Sequence, residues 1–130
     1  INERKEALGL DVAVLGDAPN ATIPGLKGPR AACHREGILE SDAILVPLED
    51  GDRCQALVAM GKTVVVIDLN PLSRSAQQAS ITIVDELSRA LKTMLELAEK
   101  EDRLHIDETY DHHAILQAGL AEMLRAMNGP

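Results

Sequence analysis

Aromatic side chains are almost absent from this chain of 130 residues, because Phe and Trp do not occur and Tyr110 stands alone. Proteins that bind single-stranded nucleic acids stack the bases on aromatic rings, and this chain has one ring to offer. The net charge of −8 also disfavours DNA and RNA, since their binding depends on clustered Lys and Arg that neutralise phosphates. We therefore expect no nucleic-acid partner.

Long hydrophobic runs and cysteines are also scarce. No run approaches the roughly 20 apolar residues that a membrane-spanning helix requires, and no secretory segment opens the chain. Cys33 and Cys54 are far apart and lack the spacing of a metal-binding pair, so we expect reduced thiols rather than a disulfide. These features favour a cytoplasmic protein without a membrane partner.

Aliphatic residues supply the hydrophobic side chains for a core in place of the scarce aromatic residues. Hydrophobic residues make up 45% of the chain, which is enough for one core built from Val, Ile, Leu, Ala and Met. The length leaves no room for a second lobe. We therefore predict a single domain over residues 1–130.

Short aliphatic runs alternate with helical segments along the chain. The predicted strands are Asp11–Gly16, Asp42–Leu48, Lys62–Ile67 and Ser80–Val84. The predicted helices are Glu3–Leu8, Cys54–Met60, Leu72–Ala79, Asp85–Glu101 and a last helix that Asp111 caps. Continuous aliphatic strands between helices are typical of a parallel sheet covered on both faces. The pattern predicts an α/β, Rossmann-like three-layer domain with a mostly parallel sheet.

Polar clusters follow the first three predicted strands, at Asp17–Arg30, Glu49–Arg53 and Asp68–Ser75. Parallel strands end at the same edge of a sheet, and open α/β folds bind their ligands at that edge. The clusters therefore predict one shared ligand pocket.

The cluster after the third strand is the richest in polar groups. Asp68 either caps the turn before Pro71 or accepts hydrogen bonds from a ribose hydroxyl, as acidic residues at strand ends commonly do. Arg74 and Ser75 begin a helical stretch, where backbone N–H groups and a guanidinium can hold a phosphate together. The alternative for Arg74 is a solvated surface cation.

The acidic cluster at Glu49, Asp50 and Asp52 permits two interpretations. One or two of these carboxylates could hold Mg²⁺, since magnesium–phosphate sites commonly use such ligands. The turn could equally cap the helix that begins near Arg53. The residues alone do not decide between a metal site and a cap.

The basic residues and histidines give weaker indications of a binding site. Lys27, Arg30 and Arg35 lie on or beside the first loop and would suit an anionic substrate, although solvated cations are an equal alternative. His112 and His113 are adjacent, and neighbours on a helix point in different directions, so we assign them to the first turn of the last helix. The chain contains no Walker loop, GxGxxG or paired CxxC, so dinucleotide redox chemistry and covalent nucleophilic catalysis lack support.

Several segments together resemble the archaeal phosphopantothenate synthetase family, also called 4-phosphopantoate–beta-alanine ligase. The resemblance rests on VPLEDGDR (Val46–Arg53), ALVAMGK (Ala56–Lys62), VIDLNPLSRSA (Val66–Ala76), ITIVDE (Ile81–Glu86), DAPNATIPGL (Asp17–Leu26) and EGILESDAILV (Glu36–Val46). It runs in consistent order from about Asp11 to Leu91 and includes two long, unusual motifs.

The resemblance implies an ATP-dependent ligase of coenzyme A biosynthesis that works as a homodimer with Mg²⁺. Its substrates would be ATP, 4-phosphopantoate and beta-alanine, and its products 4′-phosphopantothenate, AMP and diphosphate. The matching positions imply ATP contacts from Asp68, Leu69, Asn70, Arg74, Ser75, Glu86 and Leu87. The candidates for stabilising substrate anions are Arg53 and Arg30, and those for holding magnesium are Asp50 and Asp52.

The chain departs from the family pattern at three points. The family usually has Thr at the position of Ser75 and Asn at that of Glu86, and its chains have a further, preceding segment with glycine-rich and basic elements. We therefore expect this chain to be the C-terminal half of such an enzyme. The alternatives are a non-catalytic nucleotide-binding module and a dimerisation domain. The apolar face around Ile115–Met127 is the candidate dimer interface, and its alternative role is to complete the core.

Overall fold

The computed structural model describes residues 2–47, 50–100 and 108–129 of the chain. These residues fall into two compact units, Ile1–Asp42 and Ala43–Pro130. Each unit has its own secondary structure and its own buried residues. A single domain over residues 1–130 stays a prediction.

The first unit contains little regular structure. Its elements are helix α1 (Asn2–Ala7), strands β1 (Ala21–Thr22) and β2 (Ala32–Cys33), a 3₁₀ turn (Gly28–Ala31) and a π-helical turn (Arg35–Leu39). The two strands pair antiparallel, with Ala21 opposite Cys33. Ile23, which is 1% exposed, forms the centre of this unit together with buried Ala31 and Cys33.

The predicted strand Asp11–Gly16 is wrong. None of its residues forms a strand, and Val12 and Leu15 are 54% and 45% exposed. An aliphatic run can become a strand only beside a partner, and none of the strands in the described part of the chain pairs with this segment. The predicted loop Asp17–Arg30 is also more ordered than expected, because it contains β1 and most of the 3₁₀ turn.

The second unit has the predicted alternation of strands and helices. Its elements are β3 (Ala43–Val46), α2 (Gly51–Ala59), β4 (Thr63–Ile67), α3 (Arg74–Gln78), β5 (Ile81–Ile83), α4 (Leu87–Glu99) and α5 (His112–Met127). The three strands form a parallel sheet in the order β3-β4-β5, with Val46 opposite Val66 and Val65 opposite Ile81. The predicted α/β, Rossmann-like fold is confirmed.

The central strand β4 explains this arrangement. Val64, Val66 and Ile67 are at most 3% exposed, as expected of a strand with neighbours on both sides. The connections β3-α2-β4 and β4-α3-β5 step in the same direction, and such crossovers are almost always right-handed. Helices α2 and α3 therefore lie on the same face of the sheet, where they contact each other, while α5 packs against β5.

Side-chain caps fix where the helices of this unit begin. Asp50 caps α2, Ser73 caps α3, Glu86 caps α4 and Asp111 caps α5, each by accepting a hydrogen bond from a backbone N–H of the first turn. The predicted cap at Asp111 is confirmed. Helix α2 starts at Gly51, three residues before the predicted Cys54, because Asp50 caps it.

Helices α4 and α5 bury few of their apolar side chains in this chain. Ala90 is the buried residue of α4 and Leu116 that of α5. The exposed apolar residues are Leu91, Leu95, Leu97, Ile115, Met123, Leu124 and Met127. The predicted end of α4 at Glu101 lies outside the described residues. Across the described ranges, no helix combines the length and apolar character needed to cross a bilayer.

A hydrogen-bonded cluster around Tyr110 joins β5, α3 and α5. The Tyr110 hydroxyl accepts a hydrogen bond from the Thr82 N–H (3.3 Å) and lies 3.3 Å from Nδ1 of His112. Nε2 of His112 is 2.9 Å from the Ala76 carbonyl oxygen, which also accepts from the Thr82 hydroxyl at 2.8 Å. A carbonyl only accepts, so Nε2 holds the imidazole proton in this arrangement. His112 thus has a structural role in the first turn of α5, as expected.

Replacing Tyr110 with Phe tests this cluster. The variant leaves the Thr82 N–H without its acceptor, so we expect the free energy of unfolding to fall by about 0.5–1.5 kcal/mol. Chemical denaturation followed by far-UV circular dichroism measures the change. Lys27→Ala is a suitable control, because this side chain is exposed and lies on neither α4 nor α5, so its loss should change stability by less than about 0.5 kcal/mol. Equal stability of Tyr110→Phe and wild type would contradict the assigned contacts.

Candidate functional site

A cavity of about 550 Å³ lies at the carboxyl ends of β4 and β5, where the chain turns toward α3 and α4. Its lining residues are Pro47, Asp50, Val66, Ile67, Asp68, Leu69, Ser75, Asp85, Glu86 and Leu87. The segments that follow β3, β4 and β5 all contribute to this wall. Ligands of open α/β folds bind at this edge of the sheet, so the cavity is the candidate site.

The loop after β4 is held in shape by its own polar side chains. One carboxylate oxygen of Asp68 accepts from the Asn70 N–H at 2.9 Å, and the other accepts from the Ser73 hydroxyl at 2.5 Å. The Asn70 side chain in turn accepts from the Leu72 N–H at 3.0 Å. Asp68 therefore shapes the turn before Pro71, as one of its two interpretations predicted, and the residue is also part of the cavity lining.

Ser75 and Arg74 are neighbours with different surroundings. Ser75 is 7% exposed and lines the cavity. The Arg74 side chain is 67% exposed and forms an ion pair with Asp52, outside the cavity lining. Exposed ion pairs contribute about 0–1 kcal/mol, so this pair orients the guanidinium more than it stabilises the fold.

Asp85 and Glu86 form the acidic wall at the start of α4. Asp85 accepts from the Glu86 N–H at 2.7 Å and from Nε of Arg89 at 2.6 Å. The hydrogen bond from Arg89 is the main cause that lowers the pKa of Asp85, and the hydrogen bond from the Glu86 backbone is the second. Glu86 accepts from the backbone N–H groups of Ser88 and Arg89, and these bonds lower its pKa. Both carboxylates are therefore ionised at neutral pH.

Four acidic residues stand among the lining residues of the cavity. Asp50, Asp68, Asp85 and Glu86 line it, and no Lys or Arg is among its described lining residues. An ionised carboxylate only accepts hydrogen bonds, so this wall suits ligand groups that donate, such as hydroxyl and amino groups. A bare polyanion would be repelled from the same wall.

The acidic turn at the start of α2 acts as a cap. Asp50 accepts from the Asp52 N–H at 3.0 Å, and Asp52 pairs with Arg74. Glu49 lies outside the described residues. No group of three or more possible metal ligands occurs within residues 2–47, 50–100 and 108–129. Magnesium binding by Asp50 or Asp52 stays a prediction.

Several residues predicted from the sequence meet at the cavity: Asp50, Asp68, Leu69, Ser75, Glu86 and Leu87. The residues predicted for the site that do not line it are Asn70, Arg74, Asp52, Arg53 and Arg30. Asn70 and Arg74 are exposed on the adjoining segment, and Arg53 lies on α2. Arg30 belongs to the first unit, so its part in the site stays a prediction.

Sequence reasoning missed Pro47, Val66 and Asp85 as lining residues. Asp85 could have been predicted from the sequence, because it comes two residues after the end of β5 and directly before Glu86. The rule that polar residues after parallel strands meet at one edge applies to β5 as it does to β4. Applied to all the strands, the rule would have added Asp85 to the predicted site.

The sheet and the cavity at its carboxyl edge define a Rossmann-like α/β protein with a candidate small-molecule site. A sequence profile of the family described as phosphopantothenate/pantothenate synthetase matches residues 1–126. The chain therefore belongs to this family, and the predicted resemblance is confirmed.

Curated relatives share the name 4-phosphopantoate–beta-alanine ligase. The protein from Thermococcus kodakarensis is 50% identical over 108 residues, which cover 78% of this chain and 41% of that protein. The protein from Methanosarcina mazei is 46% identical over 116 residues, covering 85% and 46%. The protein from Thermococcus onnurineus is 48% identical over 108 residues, covering 78% and 41%. The chain spans less than half the length of these relatives.

The acidic start of α4 predicts a pH dependence of stability. The folded-state pKa values of Asp85 and Glu86 are lowered, so their stabilisation is complete above the ordinary carboxylate pKa and is lost as pH falls through the folded-state values. Glu86→Gln keeps an acceptor oxygen but does not titrate. Its thermal midpoint should therefore fall less steeply than that of wild type between roughly pH 5 and pH 3. Identical slopes in thermal unfolding would show that Glu86 contributes nothing to the acid sensitivity.

Proposed function

We propose that this chain provides the nucleotide-binding part of a cytoplasmic, ATP-dependent ligase of coenzyme A biosynthesis. The full-length protein would join 4-phosphopantoate to beta-alanine and release 4′-phosphopantothenate, AMP and diphosphate. The main support is that Asp68, Leu69, Ser75, Glu86 and Leu87, expected from the motifs to contact ATP, line one cavity at the sheet edge. The name shared by the relatives supports the choice of substrates.

The polarity of the cavity suggests how the nucleotide binds. The ribose hydroxyls and the adenine amino group are donors, so the adenosine part suits the carboxylates of Asp68, Asp85 and Glu86. The same carboxylates would repel the triphosphate. We therefore propose that the triphosphate extends past Ser75 toward Arg74. The guanidinium has five donors, so Arg74 can contact phosphate oxygens while it keeps its pair with Asp52.

The proposed chemistry has two steps. A carboxylate oxygen of 4-phosphopantoate attacks the α-phosphorus of ATP, and diphosphate leaves as the acyl-adenylate forms. The amine of beta-alanine, after losing a proton, attacks the acyl carbon, and AMP leaves as the amide forms. Both steps require positioned reactants and stabilised negative charge more than a protein nucleophile. Arg74 is the candidate for the phosphates, and Arg53 and Arg30 are candidates for substrate anions.

Magnesium would enter this site together with the nucleotide. Mg²⁺ is usually held by phosphate oxygens, water and one or two carboxylates rather than by a cage of protein ligands. Of the two candidates, Asp50 fits better, because Asp50 is a lining residue of the cavity while the carboxylate of Asp52 pairs with Arg74. The ion supplies charge neutralisation on the polyphosphate.

We also propose that the full-length protein is a homodimer, as the family resemblance implies. The apolar side chains that α4 and α5 expose, such as Leu95 and Leu124, support an interface on these helices. Sedimentation equilibrium of the full-length protein measures the assembly state. A monomer at micromolar concentration would contradict this part of the proposal.

Product analysis tests the proposed reaction. Full-length protein and this chain are incubated side by side with ATP, 4-phosphopantoate and beta-alanine, and AMP, ADP and 4′-phosphopantothenate are separated by chromatography. We expect the full-length protein to form AMP and 4′-phosphopantothenate in equal amounts, and to form no 4′-phosphopantothenate without beta-alanine. Release of ADP would contradict the adenylate route. ATP binding by a full-length protein that forms no product would instead indicate a non-catalytic nucleotide-binding module.

Removing the Arg74 guanidinium tests the phosphate contact. We expect Arg74→Ala to weaken ATP binding by roughly 1.5–3 kcal/mol, the contribution typical of a charge-assisted hydrogen bond. Titration calorimetry on the full-length protein measures the affinity. Arg125→Ala is the matched control, because Arg125 on α5 is similarly exposed and also ion-paired, with Glu122. Unchanged ATP affinity in Arg74→Ala would remove Arg74 from the site.

A further inference from the structure

The turn at the start of α2 packs against the start of α3 at very close range. Gly51 is buried there. A Cβ atom placed on Gly51 would lie 2.5 Å from the Cβ of Arg74, 3.1 Å from its carbonyl carbon and 3.3 Å from the backbone nitrogen of Ser75. Real Cβ atoms essentially never approach another atom within 3.0 Å. Helix α3 could therefore not lie where it does if residue 51 had a side chain.

Gly51 is required for space and not for an unusual backbone conformation. The glycines with positive φ include Gly61, just beyond α2, whereas Gly51 is not among them. The nearest atoms to a Cβ on Gly51 belong to Arg74 and Ser75, and neither a backbone nor a Cβ atom can swing away as the end of a long side chain can. An alanine at position 51 would have to displace Arg74 by about 1 Å to restore ordinary contact.

The same turn contacts Arg74 through a side chain. The Asp52 carboxylate pairs with the Arg74 guanidinium, and Asp50 accepts from the Asp52 N–H at 3.0 Å. Asp52 therefore orients the guanidinium of Arg74, while the contact with Gly51 sets the position of the Arg74 backbone. In an exposed pair the ionic contact alone is weak, so the position of the backbone matters more.

We propose that the Asp50–Gly51–Asp52 turn is a positioning element that fixes Arg74 and Ser75 for the polyphosphate of the nucleotide. Gly51 sets how closely α3 approaches α2, and Asp52 holds the guanidinium. The inference rests on the proposed function in one respect, the contact of Arg74 with phosphate. Displacements of about 1 Å at a site can cost up to roughly a hundredfold in function, so the missing methyl group is enough to matter.

Two glycine-to-alanine variants of the full-length protein separate this role from mere packing. Gly51→Ala should weaken ATP binding about tenfold and leave adenosine binding within about twofold, because adenosine lacks the phosphates that Arg74 would contact. Gly61→Ala is the matched control at the other end of α2. Its φ of 80° makes alanine destabilising, but a Cβ there meets no atom within 4 Å. Its affinities for ATP and adenosine should equal those of wild type.

A double-mutant cycle shows whether Gly51 acts through Arg74. If it does, Gly51→Ala should cause a smaller loss of ATP affinity in an Arg74→Ala background than in wild type, since only the part that acts through Ser75 remains. Asp52→Asn leaves the Gly51 contact intact and should weaken ATP binding by about threefold, and Asp52→Glu should restore part of the loss. Asp52→Asn also provides the test if Gly51→Ala does not fold. Additive losses, equal losses for ATP and adenosine, or wild-type ATP affinity in folded Gly51→Ala would each overturn the proposal.

Amide chemical shifts separate failure of this inference from failure of the proposed function. In the nucleotide-free protein, Gly51→Ala should shift the ¹H–¹⁵N signals of Ser75 and Ala76, and Gly61→Ala should not. If Arg74→Ala leaves ATP affinity unchanged, the proposed contact between Arg74 and phosphate is wrong. The chemical shifts of Gly51→Ala then still show whether the turn positions α3. Unmoved Ser75 and Ala76 signals in Gly51→Ala would overturn the positioning role.

Discussion

The parallel pairing of β4 with strands on both sides is the constraint on which the second unit depends. Because Val64, Val66 and Ile67 are buried, β4 has to lie between neighbours, and the parallel register brings the ends of the strands to one edge. The segments that follow β3, β4 and β5 then line one cavity. The site is in this sense a consequence of strand pairing, since the loops bring polar groups to a place that the sheet defines.

The fold could be predicted where a segment's own residues decide its structure. The aliphatic runs at β3, β4 and β5 and the cap at Asp111 are of this kind. The strand predicted at Asp11–Gly16 failed because an aliphatic run shows that a segment can pair, and not that a partner is beside it. The start of α2 was placed three residues late because the cap at Asp50 outweighs the poor helix propensity of Gly51.

The candidate site could likewise be predicted where local sequence decides, and not where distant residues meet. Asp68 and Ser75 could be predicted from their place after an apolar strand, and Glu86 and Leu87 from the family motifs. The pairing of Asp52 with Arg74 joins residues 22 positions apart, and the close contact of Gly51 with Arg74 spans one position more. Neither contact follows a helical or strand period, so neither leaves a local pattern. The sequence therefore indicates a cap or a metal site at the acidic turn and does not reveal the contacts of this turn with α3.

The scarcity of aromatic residues has a practical consequence. Tyr110 is the single aromatic residue of the chain, and its hydroxyl lies where β5, the end of α3 and the start of α5 meet. Within this chain, no tryptophan and no second tyrosine contribute to the emission of Tyr110. The intrinsic fluorescence and near-ultraviolet absorbance of the chain therefore report on one junction. Docking of α5 onto the sheet can therefore be followed optically in this chain without an added probe.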